Sequence, residues 1–234
     1  MIKQAIILAG GLGTRLQGVV KDVPKPMADI NGKPFLEYLL NFFKKNEIKE
    51  IILSVGYKYK VIIDYFGENF SGIKLVYSIE EEPLGTGGAI KKALNYVDSN
   101  EVFVLNGDTF FDINLSKFYK FHIEKKSNLS IGLKIMEKNN RYGIVEVDND
   151  FRIKNFSEKR YSDKALINAG IYILKKDFLL SLKLPYKFSF EKDFLERYSK
   201  TFAFYGFPLD ASFIDIGLPS DYYSAHSLFN PNQK

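Results

Sequence analysis

Two groups of residues near the N-terminus have types and spacings suited to handling phosphate. The first is Leu8-Ala9-Gly10-Gly11-Leu12-Gly13-Thr14-Arg15, which follows directly on the apolar segment Gln4–Leu8. Glycines at 10, 11 and 13 remove Cβ atoms where a ligand could lie against backbone N–H groups. The second is Lys25, held between Pro24 and Pro26. Both rings fix φ, and Pro26 directs Lys25 toward an extended backbone. Its ammonium is then offered to a phosphate from a preset main chain. Two known phosphate motifs fail here. A dinucleotide fingerprint needs glycines at 11, 13 and 16, but position 16 is Leu16, and no acid ends the second apolar run. A Walker A loop needs Gly-Lys-Ser/Thr, but Gly32-Lys33 is followed by Pro34.

The apolar pattern says what must position these groups. Gln4–Leu8 has no polar alternation, as in a central parallel strand covered on both faces. The glycine run therefore sits at the carboxyl end of a strand, where α/β sheets place ligands. Helical spacing over 33–45 puts Leu36, Leu39, Leu40 and Phe43 on one face. Strands at 50–55, 73–78 and 101–106 alternate with helices at 61–66 and 87–96, a rhythm of βαβ units with right-handed crossovers. After Asp108 the pattern predicts strands at 128–136, 143–147, 152–158 and 165–174, with hairpin chemistry at Asp148-Asn149-Asp150. Helices at 177–182 and 191–199, strands at 203–207 and 213–215, and a helix from Ser220 follow. The expected fold is a single α/β domain with a Rossmann-like, mixed but mostly parallel sheet flanked by helices. Its halves are a nucleotide-fold-like 1–112 and a more antiparallel 113–234.

Composition narrows the chemistry. At 234 residues, 46% hydrophobic and 26% charged, the chain is of ordinary globular type and is neither disordered nor a coiled coil. It has no cysteine, which excludes disulfides, thiolate-held zinc, iron–sulfur clusters and thiol catalysis. His122 and His226 are too few for a His-rich metal site. The net charge of +5 is spread along the chain and suits a small anionic substrate, with no nucleic acid or membrane as partner. No run is apolar over the roughly 18–20 residues that span a bilayer, and MIKQAIILAGG lacks a signal-peptide cleavage pattern. The expected location is cytoplasmic, and a homo-oligomer is compatible with these counts.

Taken together, the motifs resemble those of the sugar-1-phosphate nucleotidyltransferases. They are LAGGLGTRL with VPKPMADINGKPFLEYLL, PLGTGGAI at 83–90, VLNGDTFFD at 104–112, RYGIV at 141–145, FSEK at 156–159, NAGIY at 168–172 and FIDIGLPSDY at 213–222. The resemblance implies transfer of a nucleotidyl group from a nucleoside triphosphate to a sugar 1-phosphate, with release of pyrophosphate. By this resemblance Arg15 binds the departing triphosphate tail and Lys25 neutralises the reacting phosphates. Asp108 holds Mg²⁺ with Asp215 as the partner carboxylate. Leu8, Ala9 and Gly10 contact the base through backbone, and Glu80 and Gly85 close around it. Gly11, Gly13, Thr14 and Asn106 complete the nucleotide set. Gly143, Glu158, Lys159, Asn168 and Gly170 match sugar-phosphate positions, and Tyr142 is either a wall of that pocket or core.

In uridylyl and thymidylyl relatives a glutamine tends to stand where this chain has Glu80. A carboxylate there suits the adjacent N–H donors of guanine, so GTP is the expected donor. The stretch EEPLGTGG also resembles guanylyltransferases. Mannose, glucose and N-acetylmuramate 1-phosphates remain alternatives at this level. A catalytically silent sensor is a further alternative, but one expected to lack Lys25 or a metal carboxylate.

Overall fold

The computed structural model describes residues 2–230, other than 12, 14, 15, 17, 21 and 158–160, and the backbone alone of Ser157. Strand β1 (Gln4–Leu8) leads through the glycine loop to a single 3₁₀ turn at Lys25–Met27. The small hairpin β2 (Asp29–Ile30) and β3 (Lys33–Pro34) precedes helix α1 (Phe35–Lys45). Then come β4 (Glu50–Val55), α2 (Tyr59–Phe66), β5 (Asn69–Phe70), β6 (Ile73–Ile79), α3 (Gly85–Ala93) and β7 (Glu101–Asn106). Strands β7, β1, β4 and β6 run parallel in that order. Their side chains alternate between two cores. Ala5, Ile7, Ile51, Leu53, Phe103 and Leu105 share one with α1, while Ile6, Ile52, Val102 and Val104 pack under Ile90 and Ala93 of α3. Burial on both faces explains runs with no polar positions.

The rest of the chain adds β8 (Thr109–Phe111), α4 (Leu115–Glu124), β9 (Leu129–Asn139), β10 (Ile144–Val147), β11 (Ile153–Ser157) and β12 (Ser162–Lys175). It continues with α5 (Lys176–Ser181), a π-helical turn at Phe190–Leu195, α6 (Glu196–Tyr198), β13 (Tyr205–Leu209), β14 (Phe213–Asp215) and α7 (Pro219–Leu228). The long β12 runs antiparallel to β7 and also pairs antiparallel with β9 and β10. Strand β13 joins β9 in parallel. The sheet is thus mixed, as expected, with most of its antiparallel pairing beyond β7 and the short β5 antiparallel to β6 at the other edge. Among the described residues no helix is long and apolar enough to cross a membrane.

Several expectations are corrected. Lys25 is not extended but opens the 3₁₀ turn, closed by Met27 N–H to Pro24 C=O (2.7 Å) and Ala28 N–H to Lys25 C=O (3.0 Å). Pro26 fits because a proline early in a turn loses no needed donor. Helix α1 begins at Phe35 because Lys33 precedes a proline and is drawn into the hairpin. The expected helix at 191–199 divides into the π turn and α6. Helix α4 is absent from the sequence expectation. Asn114 caps it by accepting from Lys117 N–H (2.9 Å), and its buried face is Leu115, Phe118 and His122. A histidine in the third buried seat breaks the apolar period.

That histidine makes stability depend on pH. His122 is fully buried, and its Nδ1 shares a hydrogen bond with Ser130 Oγ (2.8 Å). Its Nε2 has no partner among the described residues. Burial, helped by the charge of Lys175, lowers its pKa from the ordinary 6.5 to about 4. The unfolded chain then binds the extra proton between those values, so stability falls as pH drops from 6.5 toward 4. The full loss is at most about 3 kcal/mol. The expected result is that His122→Gln flattens the fall in urea midpoint between pH 7.5 and pH 5. An unchanged slope would assign the effect to other groups.

Candidate active site

The carboxyl ends of β1, β4, β6 and β7 open into a cleft of about 1010 Å³. The glycine loop forms one wall, with Leu8, Ala9, Gly10, Gly11 and Gly13 all lining it. Lys25, Glu80, Gly85, Asn106 and Asp108 line the same cleft. Every described member of the expected nucleotide set therefore meets in one place. Thr14 and Arg15 lie outside the described residues, as do Glu158 and Lys159.

Lys25 is held from several sides. Its side chain is only 9% exposed. A Cβ on Gly13 would stand 3.0 Å from Lys25 Cβ, so the glycine loop packs directly on the lysine stem. The ammonium bonds Asp108 Oδ2 at 2.6 Å and reaches Asp215 Oδ1 at 3.8 Å. The two acids are distant in sequence and are joined by the ribbon β8–β14, in which Asp215 faces Thr109. Thr109 Oγ donates to Asp108 Oδ1 (3.1 Å), and Gly217 N–H donates to Asp215 Oδ1 (2.7 Å). Two carboxylates converging on one cation position suit a hard divalent ion that draws its remaining ligands from water and phosphate. Among the described residues no group of three or more Asp, Glu or His assembles, so an all-protein metal cage is not available.

Glu80, on the same cleft, is fastened at both oxygens. Oε1 accepts from Ser54 Oγ (3.2 Å) and Oε2 from the Leu84 N–H (3.1 Å). A Cβ on Gly10 would come within 2.6 Å of Oε1, so the carboxylate lies against bare backbone. Glu81 and Glu82 are exposed, although they also border the opening. Gly85 adopts φ +71, and its missing Cβ would strike the Phe188 carbonyl at 2.5 Å. That carbonyl accepts from the Gly87 N–H (3.0 Å), so this donor at the start of α3 is already satisfied by protein.

Of the expected sugar-phosphate positions, Gly143, Asn168 and Gly170 are described, and none of them is among the residues lining this cleft. Pairing of β12 with β9 breaks between Asn168 and Tyr172, an irregularity of the kind that re-aims side chains beside sites. Within it Gly170 has φ +70, and a Cβ there would lie 2.8 Å from Asn106 Nδ2. Asn168 is locked, its Oδ1 accepting from Gly170 N–H (3.0 Å) and its Nδ2 donating to Tyr172 Oη (2.8 Å). Gly143 follows Arg141 and Tyr142 just before β10. Tyr142 packs with Ile144, Ala165, Ile167 and Phe213. Burial, reinforced by the nearby charge of Asp215, pushes its phenol up to about 12. It is therefore half core and half neighbour of the acids. Arg141 grips Asp221 of α7 through both guanidinium nitrogens, which raises its pKa further.

Sequence reasoning missed Ser54, Gly56, Tyr57 and Gly217, which support or line the cleft. Gly56-Tyr57 follows β4 just as the glycine loop follows β1, so the strand-end rule already contained that signal.

A family model described as nucleotidyl transferase matches residues 4–230. The chain is 53% identical to a D-glycero-alpha-D-manno-heptose 1-phosphate guanylyltransferase from Campylobacter jejuni, over 97% of this chain and 99% of that one. It is 49% identical to a guanylyltransferase of the same description from Aneurinibacillus thermoaerophilus, over 95% and 96%. The crystal structure of HddC from Yersinia pseudotuberculosis complexed with GMP-PN superposes with a TM-score of 0.88 at 42% identity, covering 97% of this chain and 100% of that one.

Proposed function

The chain belongs to the nucleotidyl transferase family, and from that premise we propose that it transfers GMP from GTP to D-glycero-α-D-manno-heptose 1-phosphate, giving GDP-heptose and pyrophosphate. The relatives' activity supports this reading. The observation that carries it in this chain is that Lys25, bonded to Asp108 and 3.8 Å from Asp215, lines the same cleft as Asp108 and Glu80.

In the reaction a phosphate oxygen of the sugar 1-phosphate attacks the α-phosphorus of GTP. The bond from that phosphorus to the β-phosphate bridging oxygen breaks, and the electron pair leaves with pyrophosphate. The reactants are both anions, so catalysis is mostly placement and neutralisation of charge. The glycine loop accepts the nucleotide against its backbone. Lys25, fixed by its turn and by Gly13, supplies positive charge at the reacting phosphates. Asp108 and Asp215 would hold Mg²⁺, which would supply charge neutralisation and orientation of phosphate oxygens. Asn168 and Gly170 shape the seat of the sugar phosphate beside these acids, with Gly143 on the adjoining loop. The cytoplasm, where nucleoside triphosphates are made, is the fitting compartment.

Glu80 selects the base. Its ionised carboxylate only accepts hydrogen bonds, and guanine offers N–H donors at N1 and N2. Uracil and thymine would set carbonyl oxygens against it, a mispairing worth about 1–3 kcal/mol. At about 1.4 kcal/mol per tenfold, GTP should exceed UTP by roughly one to two orders of magnitude in kcat/KM. Pyrophosphate release is to be measured with four nucleoside triphosphates crossed with heptose, mannose, glucose and N-acetylmuramate 1-phosphates. Equal use of UTP and GTP would overturn the base assignment, and preference for another sugar would overturn the heptose.

A further inference from the structure

The base end of the cleft contains a buried hydroxyl in an unexpected place. Ser54 lies near the end of β4 and is fully buried. In register it stands beside Leu8 of β1 and Ser78 of β6. Partners in register share a face of the sheet, and two residues earlier that face carries Ile6, Ile52 and Val76 in the core under α3. A hydroxyl among aliphatic side chains is unfavourable unless it is hydrogen-bonded. Ser54 Oγ has Glu80 Oε1 as its partner at 3.2 Å. The neighbouring Ser78 Oγ has none among the described residues, so it takes no share in holding Glu80.

The consequence falls on Glu80. A carboxylate has about four acceptor positions. Ser54 occupies one on Oε1 and the Leu84 N–H one on Oε2, and the carboxylate still borders the cleft. With both oxygens fastened the group cannot turn about its terminal torsion. With Oε1 released it would pivot on the Leu84 contact. Reading two adjacent donors needs both oxygens in a fixed plane, whereas reading one donor does not.

We propose that Ser54 is a specificity-determining positioning residue, whose hydroxyl sets the plane of the Glu80 carboxylate so that it meets both donors of guanine. This rests on the reading of Glu80 as the guanine acceptor. The sensitive comparison is GTP against inosine triphosphate, which keeps the N1 donor and lacks the 2-amino group. kcat/KM is to be measured for both nucleotides, with heptose 1-phosphate as acceptor, in the wild type, Ser54→Ala, Ser54→Cys, Glu80→Gln and the double variant Ser54→Ala/Glu80→Gln. Ser54→Ala should shrink the GTP preference about 3- to 10-fold through KM for GTP, leaving KM for the sugar phosphate unchanged. Ser54→Cys, close in volume but a weak donor, should behave likewise. In the Glu80→Gln background Ser54→Ala should change the ratio no further. If Ser54→Ala weakens both nucleotides equally while Glu80→Gln alters the ratio, Ser54 only packs and the proposal fails. If Glu80→Gln itself leaves the ratio unchanged, the failure lies in the reading of Glu80, and the proposal falls with it.

Discussion

Replacing Lys25 with alanine is expected to lower kcat by about 10²–10³-fold, the range found when one preorganised donor to a developing charge is removed. KM for the sugar phosphate should change far less. The ammonium is almost buried and bonded to Asp108, so in the free enzyme it is held at a position set before substrate arrives. A group placed in advance stabilises the transition state without reorganising, which is why its loss should appear in kcat. Lys25→Arg should not restore the rate. Gly13 packs on the lysine stem, and the planar guanidinium cannot reproduce the single short contact from the ammonium to Asp108 with the same placement of charge. Steady-state pyrophosphate release gives both constants, and near-normal turnover in Lys25→Ala would end the assignment.

The second large effect concerns the acids. Asp108→Asn and Asp215→Asn should each cut turnover by about 10²–10⁴-fold or raise the Mg²⁺ requirement, since a lost metal contact forfeits several kcal/mol of charge stabilisation. Asparagine keeps an oxygen to accept from Thr109 or from the Gly217 N–H, so the ribbon itself should persist. If both side chains serve one metal centre, the double variant should be far less impaired than the product of the two losses. A chelator should abolish wild-type activity, and added Mg²⁺ should restore it. Full turnover in chelator would remove the metal from the mechanism.

Parts of this site were legible because the chemistry sits where apolar strands end. The glycine loop after Leu8 and Asp108 after Asn106 follow parallel strands whose runs are visible in the sequence. The meeting of Asp108 with Asp215 is not readable from period, since it depends on the three-residue strands β8 and β14, too short to show alternation. The resemblance supplied the pair that spacing could not. The expectation for Lys25 rested on a partly mistaken reason. Its main chain is fixed by a 3₁₀ turn, and its ammonium by the acid it bonds. Helix α4 was hidden by His122 in its buried seam, and the irregularity at 168–172 was signalled only by Asn168 and Gly170 inside the β12 run.

The ladder between β7 and β12 constrains how the enzyme can move. Five consecutive pairs, from Ile171 with Leu105 to Lys175 with Glu101, sew the strand that ends at Asn106 to the strand that carries Asn168 and Gly170. Adjacent strands stand about 4.8 Å apart, and shearing them breaks several hydrogen bonds at once. On the proposed reading the floors under the two substrates are therefore one plate, which resists swinging like the jaws of a clam. Under the proposed function, substrate capture and product escape then fall to rims such as the 80–84 loop. On that reading the approach distance of the two phosphates is written into the sheet itself.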